Sequence, residues 1–408
     1  MIRPYFDLFV QERRILCFGV LMTFFSSFGQ TFFISLFSKD LEAEFGMGSA
    51  AYGTMYSLAT LCSAACLPVL GRYVDQVDLR KYSAGVLVAL AIGCVSLGLA
   101  QEVWQVVVVL FILRLTGQGL CGHIANTTMA RKFDVRRGKA LGISALGFSF
   151  GEGVFPAFTI FLFAQIGWRL TCILDAAILV VVTIPLAVFL LAPRELREPP
   201  GESSHAGGIA DGEKEWTRSH VLKDWRFYAL VPNHLFIPFA VTGLIFHQLE
   251  LAESKGWTIE TLAMAFVGFA VVRIGASLVV GTWVDKVGAR RLFPYVSVPI
   301  CLGIGLLATS DAKVMAWVYM GLMGASMGFA SAVGAALWAE IYGVRHLGAI
   351  KSLATSMGIF GTALGPVLFG WVLEFGLGVQ WILGGTVASA FIASLVAFPV
   401  CSKSGRAG

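Results

Sequence analysis

A charged tract, Gly71-Arg72-Tyr73-Val74-Asp75-Gln76-Val77-Asp78-Leu79-Arg80-Lys81, returns 281 − 71 = 210 residues later. The second copy is Gly281-Thr282-Trp283-Val284-Asp285-Lys286-Val287-Gly288-Ala289-Arg290-Arg291. Each copy joins two long apolar runs, so one unit of apolar segments and a polar hinge occurs twice. Runs of roughly 20 apolar residues suffice for a helix to cross a ~30 Å hydrocarbon layer. They fall near 15–38, 50–70, 82–101, 104–129, 140–164, 169–192, 227–250, 260–280, 291–310, 313–338, 347–372 and 378–400. The chain is 57% hydrophobic and 13% charged, so lipid must be the solvent for much of its surface. These runs predict an all-α membrane protein with twelve transmembrane helices in two pseudo-symmetric six-helix halves. The expected boundaries are 1–192 and 227–408, around a cytoplasmic linker at 193–226 that holds Pro199-Pro200-Gly201 and Gly207-Gly208.

Basic residues set the orientation. With the N-terminus in the cytoplasm, 24 of the 30 fall in inner segments and four (Lys39, Arg169, Lys255, Lys313) in outer ones. Arg114 and Arg273 lie inside predicted helices. Both termini are therefore expected in the cytoplasm, in an inner or plasma membrane. The net charge of +5 reports topology and gives no support for nucleic-acid binding. The first apolar run is too long and polar-spotted for a cleaved signal peptide. All eight cysteines lie in or beside predicted helices and are expected as free thiols. No metal or cofactor is expected.

The 210-residue offset also aligns the fifth and eleventh runs, since Gly151 and Pro156 are repeated by Gly361 and Pro366. Here the residues resemble the major facilitator superfamily. The second hinge looks like its Gly-x-x-x-Asp-(Arg/Lys)-x-Gly-(Arg/Lys)-(Arg/Lys) signature through Gly281, Asp285, Lys286, Gly288 and Arg290. The first copy departs from it at Gln76 and Asp78. Arg114-Leu115-Thr116-Gly117-Gln118-Gly119 is similar to a further pattern of the family. A narrower likeness, to monocarboxylate porters and oxalate/formate-type exchangers, runs through Arg131-Lys132-Phe133, Arg136-Arg137-Gly138-Lys139, Gly147, Gly151, Pro156 and Gly167-Trp168-Arg169. The resemblance implies two rocking halves around a midplane site. Gly71, Asp75, Arg80, Gly281, Asp285 and Arg290 would be the gating hinge, with Asp75 addressing helix 11 and Asp285 helix 5.

A charge inside a membrane helix costs roughly 2.5–3.5 kcal/mol on insertion scales, so each such group calls for a reason. Arg273 offers a planar fork that fits two carboxylate oxygens. Arg114 is open to structural, proton-linked or substrate roles. Glu152, between Gly151 and Gly153, is the candidate proton carrier, tuned by burial and a neighbouring Arg; the alternative is a permanent ion pair. Asp175 is a second candidate, nearer the outer surface. Ser27, Gln30, Thr31 and Ser35 recur at helical spacing as one polar stripe. His247 and Gln248 lie near the outer end of helix 7, where His247 either senses pH or is bound at the rim. Lys351 is a second possible anchor or one more inner cation, and Tyr52, Tyr56 and Trp338 are expected to pack.

These features predict a secondary transporter, not an enzyme, that works as a monomer. Its expected cargo is a small organic anion, with carboxylates as the favoured class, moved with protons or by anion exchange. The alternative is a proton-coupled exporter of amphipathic or cationic compounds.

Overall fold

The computed structural model describes residues 8–133, 136–191, 216–343 and 347–402. Most of the expected linker, the Arg345 loop, and the side chains of Asp75, Arg137 and Ser352 lie outside the described residues. Every regular element described is helical. Contacts divide the chain into two compact units, Met1–Gly46 with Leu58–Ala210 and Met47–Ser57 with Asp211–Gly408.

The first unit opens with α1 (Arg13–Phe25), a 3-10 turn (Ser26–Gly29), α2 (Thr31–Ile34) and α3 (Ser38–Phe45). Helix α4 (Ser49–Gly71) gives its first turns to the second unit and the rest to the first. Then follow α5 (Leu79–Gly98), α6 (Val103–Leu113), a π-helical segment (Arg114–Cys121) and α7 (Gly122–Lys132). The unit closes with α8 (Arg137–Ile178), a second π segment (Leu179–Thr183) and α9 (Ile184–Leu190). Helix α1 packs on α7 and α8, and α5 packs on α8.

The second unit contains α10 (Arg218–Leu222), α11 (Trp225–Phe246), α12 (Gln248–Ser254), α13 (Ile259–Val287) and α14 (Ala289–Leu292). These are followed by α15 (Val298–Leu307), α16 (Val314–Tyr342), α17 (Leu347–Glu374) and α18 (Val379–Ser402). Its closest packing pairs α13 with α16 and α11 with α17.

The sequence repeat is written into the helix boundaries. Shifted by 210, the stretch from Val103 to Lys132 becomes 313–342, which is α16 to within a residue. Gly167 breaks α8 with φ 75°, and its shifted position, 377, falls between Gly376 and Gly378, which have φ 72° and 77°. Only glycine adopts this backbone freely, and here it reverses the chain between two helices. Among the described residues, ten helices are long and apolar enough to cross a membrane, or eleven when the bent pair Arg13–Gly29 and Thr31–Phe45 counts as one. The longest, Gly138–Leu190, has 53 residues and contains the Gly167 break.

Two sequence expectations need correction. The first apolar run is not one helix, because Gln30 is extended (φ −86°, ψ 155°) and the axis turns by 40° there. The polar stripe through Ser27, Gln30 and Thr31 therefore spans a break. The second hinge is also shorter than its sequence suggests. Helix α13 continues through Gly281 and Asp285 to Val287, and the chain turns only at Gly288 (φ 91°).

Glycine allows the closest helix crossings, because it lets backbones touch. A Cβ at Gly147 would strike the Val20 carbonyl, and one at Gly324 would strike the Phe269 carbonyl. At Gly305 a Cβ meets open space. Gly324→Val is expected to lower the Tm of the purified protein clearly, on the order of the 1–3 kcal/mol of core overpacking. Gly305→Val, measured in the same assay, should leave it nearly unchanged.

Candidate functional site

The break in the first apolar run builds the polar centre of the first unit. In an unbroken helix the Gly29 carbonyl would accept from Phe33, but the Phe33 amide goes to Gln30 instead. Arg114, fully buried, takes its place: Nη1 donates to Gly29 O at 3.1 Å and Nε donates to Thr60 Oγ1 at 3.0 Å. Gly117 permits this approach, since a Cβ there would lie 2.6 Å from the Gly29 nitrogen. The π segment beginning at Arg114 supplies the extra residue that turns these groups inward, as such bulges do at functional sites. Ser27 and Thr31 are buried beside the break, and Gln30 is half-buried. The Ser27 hydroxyl occupies the notch left by Gly151 and has no hydrogen-bond partner among the described residues.

Two carboxylates are buried in the same unit. Glu152 is 9% exposed on α8, one residue beyond the Gly151 notch. Asp175 is 0% exposed, and neither of its oxygens has a hydrogen-bond partner among the described residues. The thiols of Cys94 on α5 and Cys172 on α8 are its electrostatic neighbours. Sequence reasoning put Asp175 behind Glu152 as the one nearer the outer surface. Its complete burial appears only when α5 and α8 pack together.

In the second unit, Arg273 is half-buried midway along α13, at the crossing with α16 where Gly328 meets its backbone carbonyl. His234 on α11 bonds Ala354 O through Nε2 at 3.0 Å and packs edge-on against Trp338, ring centroids 5.4 Å apart. Asn233 donates to Phe293 O at 2.8 Å, so it serves the backbone between α14 and α15. Lys351 is half-buried in the first turn of α17.

His247 and Gln248 are both buried where α11 gives way to α12. The His247 Nε2 lies 2.9 Å from Pro366 O, and a carbonyl can only accept, so Nε2 carries a hydrogen. Its Nδ1 then faces Glu250 Oε1 at 3.7 Å. Ser49 Oγ donates to the same carboxylate oxygen at 3.2 Å. The adjoining Tyr52 stacks on Phe246 at 5.1 Å and Tyr56 lies tilted against it at 4.7 Å. Sequence reasoning missed Glu250. Its signal was the i, i+3 spacing from His247, which puts the two on one helix face.

The hinge residues act within their own units. Arg80 Nε donates to the Leu191 carbonyl, and Arg290 Nε donates to the Val400 carbonyl at 2.6 Å. The donors are 290 − 80 = 210 residues apart and the acceptors 400 − 191 = 209. In each unit, then, the hinge arginine binds a carbonyl at the end of the last helix, where a cation is also favoured by the dipole. The departure at Asp78 has a matching explanation. Asp78 caps α5 by accepting from the amides of Arg80 and Lys81 at 3.0 and 3.2 Å. The second copy has Gly288 there, and Glu340 from the end of α16 accepts instead from the amides of Ala289 and Arg290, at 2.6 and 2.9 Å. Gly71 meets His123, whose Nε2 lies 3.1 Å from the Gly71 carbonyl. Gly281 has open space beside it and Asp285 is exposed. The Asp75 side chain lies outside the described residues.

The profile of the Major Facilitator Superfamily matches residues 19–250 and 235–404. The chain belongs to the Major Facilitator Superfamily. It is also 22% identical over 386 residues to the oxalate:formate antiporter of Oxalobacter formigenes, covering 91% of this chain and 87% of that one. Two solved structures of a bacterial homologue of the human lysosomal transporter Spinster share its fold. The inward-facing, unoccupied form superposes with a TM-score of 0.72 at 17% identity, covering 96% of this chain and 97% of that one. The occupied form gives 0.64 at 16% identity, covering 98% and 96%. The resemblance read from the hinge and from the Arg114 segment is thereby established: this is a multi-pass membrane protein of a transporter family.

The caps give a direct test. Asp78→Ala is expected to cost about 1 kcal/mol through loss of an N-cap. Glu340→Ala should destabilise by at least as much, because it also unties α16 from the hinge. Denaturant or thermal unfolding of the two variants checks both values. Placing an acid at the shifted position, Ala130→Glu, should partly rescue Asp78→Ala.

Proposed function

We propose that this member of the superfamily is a secondary transporter of small organic anions, with carboxylates as the favoured class. The observation that carries the reading is Arg273, a guanidinium held midway along a 29-residue apolar helix. Lipid penalises a charge at that depth, so the side chain belongs with protein or with an aqueous pathway. Its fork matches a carboxylate in a bidentate geometry. The similarity to an antiporter of oxalate and formate supports the same substrate class.

The helices are read as twelve spans. The Gly167 break divides the 53-residue segment in two, and the bent first pair counts as one. The strong inner bias of basic residues supports cytoplasmic termini and a place in the inner or plasma membrane. Transport then runs by alternating access of two six-helix halves (1–192 and 227–408, joined by the linker), with the protein acting as a monomer. Ser27, Gln30 and Thr31 at the helix break, with His247 and Gln248 in the second unit, are the further substrate candidates. Arg114 makes two bonds to its own unit, which supports a positioning role for it.

A coupled proton requires a buried group that changes charge. Glu152, one residue beyond the Gly151 notch that Ser27 fills, remains the first candidate. Asp175, which is buried, and the His247–Glu250 pair, whose Glu250 is half-buried, are the other groups that fit this role.

Thermal stabilisation by a panel of carboxylates, organic cations and neutral osmolytes tests the substrate class, because a ligand that binds only the folded state stabilises it by mass action. A small carboxylate at about 100 times its Kd should add about 2.7 kcal/mol, and Arg273→Gln should remove that effect. Stabilisation by cations that survives Arg273→Gln would instead favour export of cationic compounds and a role for Glu152.

A further inference from the structure

A groove of about 520 Å³ runs along the outside of the first unit, between α5, the end of α4 and the π segment. Its walls include Tyr82, Gly85 and Ala89 of α5 and Leu115 and Thr116 of the π segment. Lys81 is the charged side chain in the lining, and it stands at one end. From Lys81 to Ile92 the groove follows eleven residues of helix, about 16 Å at 1.5 Å per residue. We propose that this groove is a binding site for an anionic phospholipid, with an acyl chain along α5 and the headgroup phosphate on the Lys81 ammonium.

Four observations support this occupant. The polar atoms of the lining are already used: the Tyr82 hydroxyl donates to Leu70 O at 2.7 Å, and the Thr116 hydroxyl donates to Ile112 O at 2.7 Å. The walls are therefore apolar in effect and suit a hydrocarbon chain. Gly85 leaves the floor open, since a Cβ built there meets nothing within 4 Å. Ile92 and Val77 are 54% and 42% exposed, so the groove opens to the bilayer and a lipid enters it sideways. At the charged end, Asp78 is occupied in capping the Arg80 and Lys81 amides, and the Arg80 guanidinium is bound to Leu191. Lys81 itself is exposed there. A cation beside an apolar groove at the headgroup level attracts anionic lipid over zwitterionic lipid.

The site would hold α5, the π segment and the hinge together, so lipid binding should raise the stability of the first unit. The test uses purified, delipidated full-length protein titrated with phosphatidylglycerol or phosphatidylcholine of the same acyl chains, with Tm as the readout. Phosphatidylglycerol is expected to give the larger rise. Lys81→Ala should bring that rise down to the phosphatidylcholine value. Gly85→Leu, which fills the groove, should reduce it with Lys81 intact, while Gly305→Leu, at another open glycine, keeps the full response. Native mass spectrometry of the same variants counts retained phosphatidylglycerol and reads the site even where a variant changes the basal Tm. Glycerol phosphate without acyl chains should give no rise. Equal responses to the two lipids, a phosphatidylglycerol preference that survives both Lys81→Ala and Gly85→Leu, or a full response to glycerol phosphate would each overturn the proposal.

Discussion

Backbone polar groups at membrane depth have no water to bind, and most of this structure answers that constraint. Where a helix runs unbroken, its own ladder satisfies the demand. Where it is interrupted, a specific side chain steps in. Arg114 meets the carbonyl released at the Gln30 break, and Asn233 meets Phe293 O before α15. Arg80 and Arg290 take carbonyls at the ends of the last helices of their units. Asp78 and Glu340 accept the exposed amides after the two hinges. Arg114 at the break, and Arg80, Asp78 and Arg290 at the hinges, are thus groups that let helices start, stop and bend.

This separates the scaffold from the residues left for transport. Arg114 has two bonds that tie the 3-10 turn Ser26–Gly29 and α4 to the π segment. Arg273 sits midway along a continuous helix, and its proposed role as the carboxylate anchor rests on that position. Asp175 is buried, and neither of its oxygens has a hydrogen-bond donor among the described residues. The duplication also shows how a structural requirement survives a change of residue. One unit caps its hinge helix from the neighbouring position and the other from a different helix, so the local sequence differs while the backbone bonds are kept.

The helical class, the duplication and the family were legible because they rest on apolar run length, a fixed offset and short motifs. The Gly167 turn was legible too, since Gly167-Trp168 separates two runs. The break at Gln30 was not. It replaces backbone bonds with a bond to Arg114, 85 residues away, and nothing in the local hydrophobicity marks it. Reading past it made the Ser27–Thr31 stripe look continuous. Glu340 escaped for a related reason: it acts on amides that only packing brings near. Asp78, where the first hinge departs from the family signature, supplies the cap that Glu340 supplies to the second.

The most direct measurement of the central claim is counterflow in proteoliposomes. Uptake of a labelled small carboxylate would be compared in vesicles preloaded with unlabelled carboxylate and in empty ones, with Arg273→Gln in parallel. The account predicts that uptake depends on the protein, exceeds that of a labelled organic cation, and collapses with Arg273→Gln while the variant keeps its fold. Carboxylate uptake unaffected by Arg273→Gln, or protein-dependent movement of the cation alone, would contradict it.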